Sequence, residues 1–230
     1  MPRRSRQLAL DLRPPRRWGG WRPGAGRKPG CVRRDPHRRR PPLAERHPCH
    51  VTLKVIRGLP SLRSVRFVAE LERSWRQVCD GPRFRLVHYS IQDDHAHLIV
   101  EAASARDLAC GLKSIAARFA RAVNRVFRRR GPVLADRAHV RVLRTPREVR
   151  HAIAYCLLNA RRHAAQLGRR VHRWAVRIDP ASSGRWFSGW RGSWLRPPDP
   201  PAVAQPRTWL LAVGWLRHGR IDPSEIPGRA

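Results

Sequence analysis

The run Asp94-His95-Ala96-His97-Leu98-Ile99-Val100 constrains the fold more than any other stretch. It opens behind Gln92-Asp93-Asp94, which reads as a tight turn, and it is apolar once past its histidines. Short apolar runs bounded by turn residues are buried strands. Side chains alternate faces along a strand, so His95 and His97 point one way and Ala96 the other. Two imidazoles facing an interior are costly unless something polar meets them, and side by side they form a bidentate metal clip.

Period and punctuation set the neighbours of that strand. Val51, Leu53 and Val55 alternate with Thr52 and Lys54 as a strand, broken by Gly58-Leu59-Pro60. Ser64 caps a helix expected to reach about Asp80, with Val65, Val68, Leu71, Trp75 and Val78 near one face and Glu72, Arg73 and Arg76 on the polar side. Phe84 to Ile91 is a second strand and His95 to Glu101 its hairpin partner. Ser104 caps a long helix to about Arg129, with Leu108, Leu112, Ile115, Phe119 and Val123 three or four apart. His139 to Leu143 reads as a fourth strand. Thr145-Pro146-Arg147-Glu148 then starts a helix with a capping box, and that helix carries Tyr155 and Asn159 one turn apart. The order is that of an α+β, ferredoxin-like split βαβ core with an additional tyrosine-bearing helix. Its first and third strands are central, a rigid mount for the histidines.

The chain divides by composition into three parts. Residues 1–47 form a basic arm rich in Arg, Pro and Gly, residues 48–168 the folded core, and residues 169–230 a Trp-, Arg- and Pro-rich extension. In the arm, Arg27 and Lys28 are candidate DNA contacts, against the alternative of a solvated tail. In the extension, Trp174, Trp186, Trp190, Trp194, Trp209 and Trp215 read better as packing residues than as base-stacking platforms, and Thr208 to Leu216 as a short helix.

Charge decides the class of partner. The 230 residues hold 49 Lys and Arg against 16 Asp and Glu, a formal net charge of +33. Such an excess repels itself unless a polyanion is near, and nucleic acid is the obvious one. No apolar run is long enough to span a bilayer, so a membrane partner is not expected. The five cysteines are odd in number and none are spaced as metal ligands, which points to a reducing compartment.

A tyrosine that breaks DNA needs in-line approach to phosphorus, a Lewis acid on the phosphate and cations to hold the strand. Of the two tyrosines, Tyr89 lies in a half-buried strand pattern and reads as packing, which leaves Tyr155 as the nucleophile. His95 and His97 supply two imidazole ligands. If Asn159 shares a helix face with Tyr155, its amide oxygen supplies a third, a set suited to Mg²⁺ or Mn²⁺. Arg161 and Arg162 follow closely and are candidate strand-gripping cations, or a helix end complementing its dipole.

These motifs resemble the HUH-class single-tyrosine transposases, most nearly the REP-associated branch. The resemblance is carried by Asp94-His95-Ala96-His97-Leu98-Ile99-Val100 and Tyr155-Cys156-Leu157-Leu158-Asn159-Ala160-Arg161, with Ala135-Asp136-Arg137-Ala138-His139 and Arg144-Thr145-Pro146-Arg147-Glu148-Val149 between. It spans about residues 48–165. It implies a ferredoxin-like catalytic domain, a divalent metal, and attack on single-stranded or hairpin DNA that leaves a 5′-phosphotyrosine and a free 3′-hydroxyl. It further implies a bacterial cytoplasmic, nucleoid-associated protein, as monomer or homodimer. Relatives also carry Gln at the position of Asn159. Two alternatives remain: a non-catalytic nucleic-acid-binding remnant on the same fold, and an RNA-binding module. The second needs paired aromatics on central strands, and His95 to Val100 has none.

Overall fold

The computed structural model describes residues 42–166, 178–192 and 197–228. The described strands are β1 (Cys49–Lys54), β2 (Phe84–Ile91), β3 (His95–Ala102) and β4 (His139–Val142). They form one antiparallel sheet in the order β2-β3-β1-β4, so the connections from β1 to β2 and from β3 to β4 each cross a neighbouring strand. The crossings are made by α1 (Val65–Arg76) and α2 (Ala105–Val126). This is the α+β, split βαβ arrangement expected from the element order, with β1 and β3 central.

Alternation sorts the strand residues onto two covered faces. Cys49, Val51 and Leu53 of β1 and Ala96, Leu98 and Val100 of β3 meet Phe67, Leu71 and Trp75 of α1 and Leu112, Ile115 and Phe119 of α2. On the opposite face Val87 and Ile99 meet Val149, Ile153, Cys156 and Leu157 of α3 (Pro146–Leu157). Each fully buried aliphatic or aromatic side chain contributes about 1.5–3 kcal/mol. The sheet offers few of them on this second face, and Trp190, Leu210, Leu211, Trp215 and Ile221 from the C-terminal region complete the cluster. Trp186 packs with the first cluster, while Trp209 is half exposed, so packing accounts for three of the four described tryptophans of that region. Trp174 and Trp194 lie outside the described residues, as do Arg27 and Lys28.

The C-terminal segment also covers β2, an edge strand. Tyr89 N–H donates to Ser183 Oγ at 2.9 Å, Ile91 N–H to Ala181 O at 2.8 Å and Ala204 N–H to Leu86 O at 2.8 Å. Asp179 accepts both terminal nitrogens of Arg63 at 3.0 and 2.7 Å. Pairing a free edge in this way removes a template for aggregation.

Several expected boundaries shift. The first helix ends at Arg76, short of Asp80, and Val65 at its start is 87% exposed while Phe67 takes the core position. Glu72 is buried, not on a polar face, because Tyr89 Oη–H and the Arg185 guanidinium both donate to its carboxylate. The second helix stops at Val126, before Arg128 turns to a left-handed φ of 49°. The expected helix over Thr208 to Leu216 is a single turn, α5 (Trp209–Ala212), followed by a 3₁₀ turn over Gly214–His218. Tyr155 and Asn159 do not ride on one helix: α3 ends at Leu157 and α4 (Asn159–Gln166) begins after Leu158, whose φ and ψ are −107° and 15°. No Gly or Pro breaks the chain there; Leu157, Leu158 and Asn159 are all buried, and the bend turns three successive side chains inward.

Candidate active site

The site lies where α3 crosses β3. The start of α3 is fixed by its cap: Thr145 Oγ1 accepts from Glu148 N–H at 3.2 Å, and the Glu148 carboxylate accepts from Thr145 N–H at 3.1 Å. Its inner face is pinned by Val149, Ile153 and Leu157. Near its end Cys156 Sγ lies 3.7 Å from the carbonyl oxygen of His97, so the preceding residue, Tyr155, is delivered beside the histidines. The Tyr155 ring centroid is 5.0 Å from that of His97 and 5.7 Å from that of His50, both edge-on.

The two predicted imidazoles converge. Nε2 of His95 and Nε2 of His97 are 3.0 Å apart. His95 Nδ1 lies 2.6 Å from the Asp94 carboxylate, and a neutral ring donating there presents its Nε2 lone pair towards His97. That bond holds the Asp94 carboxyl below its ordinary range. On the far side of the His97 ring, Nδ1 meets His50 Nε2 and Thr52 Oγ1, each at 3.2 Å. Ligands about 2.1 Å from one metal ion and at right angles to each other stand about 3.0 Å apart, and ligating histidines characteristically tie their second nitrogen to a carboxylate or similar partner. His95 and His97 meet both conditions.

A third donor for such a cation would come from another residue type. Among the described residues no three His, Cys, Asp or Glu side chains converge as a metal site. Asn159 is fully buried, and neither its Oδ1 nor its Nδ2 has a hydrogen-bond partner. An orphaned buried amide costs about 1–3 kcal/mol per group, a cost that a bound ligand would offset. Two imidazoles and this amide suit a divalent cation of the Mg²⁺ or Mn²⁺ kind.

The cationic candidates separate. The Arg162 guanidinium lies over the Tyr155 ring, 5.1 Å from its centroid, and so belongs to the site. Arg161, its neighbour on α4, is half-buried. His163, one turn beyond Asn159, brings its ring within 6.2 Å of His95.

Burial keeps the inner histidines neutral. His97 is pushed down to about 2, first by desolvation and then by His50, His95 and His163. His50 falls to about 4, by desolvation and then by Arg141 and His139. Neutral imidazoles are the form that binds a metal. His50 and Thr52 are the residues that sequence reasoning passed over. Their alternation was visible, since both sit out of phase with Val51 and Leu53, but only the pairing of β1 with β3 puts Thr52 opposite His97.

No protein-family model matches the chain, and no curated protein matches it. Among solved structures, the chain is similar to a REP-associated tyrosine transposase bound to a REP hairpin, at 16% identity and a TM-score of 0.47, over 65% of this chain and 82% of that one.

Proposed function

We propose that the chain is a metal-dependent DNA strand-transfer nuclease, a transposase that cleaves single-stranded hairpin DNA with Tyr155 as nucleophile. The observation that carries this reading is the shared pocket: one phenol, held 5.0 Å ring to ring from an imidazole whose Nε2 faces a second imidazole Nε2. A divalent cation bound by His95, His97 and Asn159 would polarise the phosphate and offset its developing charge. Tyr155 Oη forms the new bond to phosphorus as the bond to the 3′-oxygen breaks. The phenolic proton passes to water, and the departing 3′-oxygen takes one up. Arg162, over the ring, sets a guanidinium beside the phenol where it would steady the strand. Cys156 plays no chemical part, since burial raises its thiol pKa well above the ordinary range.

An RNA-binding sheet is less well supported. Such modules present an open sheet face, whereas β2 and β3 are buried along nearly their whole lengths.

The test uses a library of imperfect DNA hairpins labelled at either end, with Mn²⁺. Attack of this polarity leaves the protein joined to the 5′-phosphate, so a denaturing gel should show an adduct carrying only the 3′-end label. Tyr155→Phe should give no adduct. His97→Ala should give none while still binding the hairpin. An adduct that survives Tyr155→Phe would rule the reading out.

A further inference from the structure

A second feature adjoins the pocket on the side away from His95. A cleft of about 290 Å³ opens between β4 and the start of α3, lined by His50, Arg141, Arg147, Glu148 and His151 among others. The sheet explains why cations gather there. In the pairing of β1 with β4, Arg141 stands opposite His50 and His139 opposite Thr52, so β4 adds a guanidinium and an imidazole to the face that carries the histidines. Arg147 and His151 come from the first two turns of α3 and are exposed. The one carboxylate, Glu148, is already engaged: Oε2 accepts from the amides of Arg144 and Thr145 at 2.7 and 3.1 Å, and Oε1 lies 3.7 Å from Arg141. The capping box therefore occupies the amides of Arg144, Thr145 and Glu148, and the arginine side chains are the charged groups an incoming anion would meet.

His50 joins this cleft to the pocket, since it lines the one and its ring lies 5.7 Å from that of Tyr155 in the other. We propose that the cleft holds a backbone phosphodiester of the same single strand, flanking the phosphate presented to Tyr155. The inference rests on the reading that a DNA strand passes Tyr155, and it adds the direction in which the strand leaves: over His50 and between Arg141 and Arg147. Two guanidiniums lining one open cleft suit a singly charged, tetrahedral group whose neighbours continue out of both ends.

The test measures binding of a labelled single-stranded DNA by anisotropy over a range of salt, using the full chain with Tyr155→Phe so that no cleavage intervenes. Each phosphate neutralised on a single strand contributes about 0.7 to the slope of log K against log salt. Arg141→Gln with Arg147→Gln should weaken binding and reduce the slope by about 0.7. The charge-matched control, Arg106→Gln with Arg121→Gln on α2, across the sheet, should leave the slope in place. An equal fall in both variants, or none in the cleft variant, overturns the proposal. Inorganic phosphate at constant ionic strength is the counter-probe, followed through the His151 ring resonances. If it fills the cleft while strand binding ignores the substitutions, the site takes free phosphate and the strand assignment is wrong. The adduct assay reports separately. Adduct formation with an unchanged slope defeats the cleft alone; a reduced slope without any adduct defeats the tyrosine chemistry alone.

Discussion

His88 carries a cost of burial that serves no visible partner. It is 8% exposed, its Nδ1 has no hydrogen-bond partner, and its ring meets Phe187 edge-on. Desolvation lowers its pKa from 6.5 to about 3. The unfolded chain therefore takes up this proton first as pH falls, so stability is intact above about pH 6.5 and is lost from there towards pH 3. At about 1.36 kcal/mol per pH unit, this one group removes about 2 kcal/mol between pH 6.5 and 5. His50 and His97 act in the same direction. His88→Leu should thus lose less stability than the parent between pH 7.5 and 5, as measured by urea unfolding; parallel losses would show that His88 is not the sensitive group. Asn159 allows a sharper test. Replacing an unpaired buried amide by an apolar side chain of like size removes its desolvation penalty. Asn159→Leu should raise metal-free stability by about 1–3 kcal/mol and abolish any rise in melting temperature on adding Mn²⁺. A loss of stability would mark the amide as an ordinary structural group.

At the scale of elements, α2 carries a glycine whose role only packing explains. Gly111 lies in the second turn of a 22-residue helix, where Ala would be favoured by up to about 1 kcal/mol on propensity. A Cβ at that position would overlap the ring of Phe84 on β2. Overpacking of this kind costs about 1–3 kcal/mol, and an aromatic ring cannot yield as a flexible chain end can. Gly111→Ala should therefore destabilise the fold in thermal melts despite its better propensity. Gly111→Ala with Phe84→Leu should recover much of the loss. The same residues show what the sequence could and could not disclose. The bounds of β2, the caps of three helices and the covered histidine strand were legible because each rests on local period or on a cap two or three residues away. The bulge between Leu86 and His88 was not, and it sets His88 opposite Ile99, on the face of Val87 where simple alternation would put it on that of Leu86. Nor was the burial of Glu72, whose partner Arg185 lies 113 residues away, or the bend at Leu158, which separates Tyr155 from Asn159 without any breaker residue. Of the site, His95, His97 and Tyr155 were visible as motifs. His50 needed the register of β1 against β3.

The whole molecule is governed by its charge of +33. Among the described residues no helix is long and apolar enough to cross a membrane. The acidic groups are few and are largely occupied within the fold: Glu70, Glu72, Glu101, Asp107, Asp179 and Glu225 each meet an arginine. The remaining arginines repel one another at low ionic strength, a term that favours the expanded chain. Salt shortens the reach of that repulsion to about 8 Å near physiological strength. The free protein should therefore melt at a higher temperature as sodium chloride is raised from low levels. In the presence of a saturating single-stranded DNA hairpin the sign should reverse. A ligand at a hundred times its Kd adds about 2.7 kcal/mol to the folded state. Salt withdraws that contribution, because each phosphate contact releases counterions whose return becomes cheaper as salt rises. Two melting series, with and without the hairpin, should thus start apart and converge at high salt. If the free protein's melting temperature is indifferent to salt, its charge is already balanced within the fold and the case for a polyanionic partner loses its physical basis. If instead both series rise together, the hairpin is not bound to the folded state.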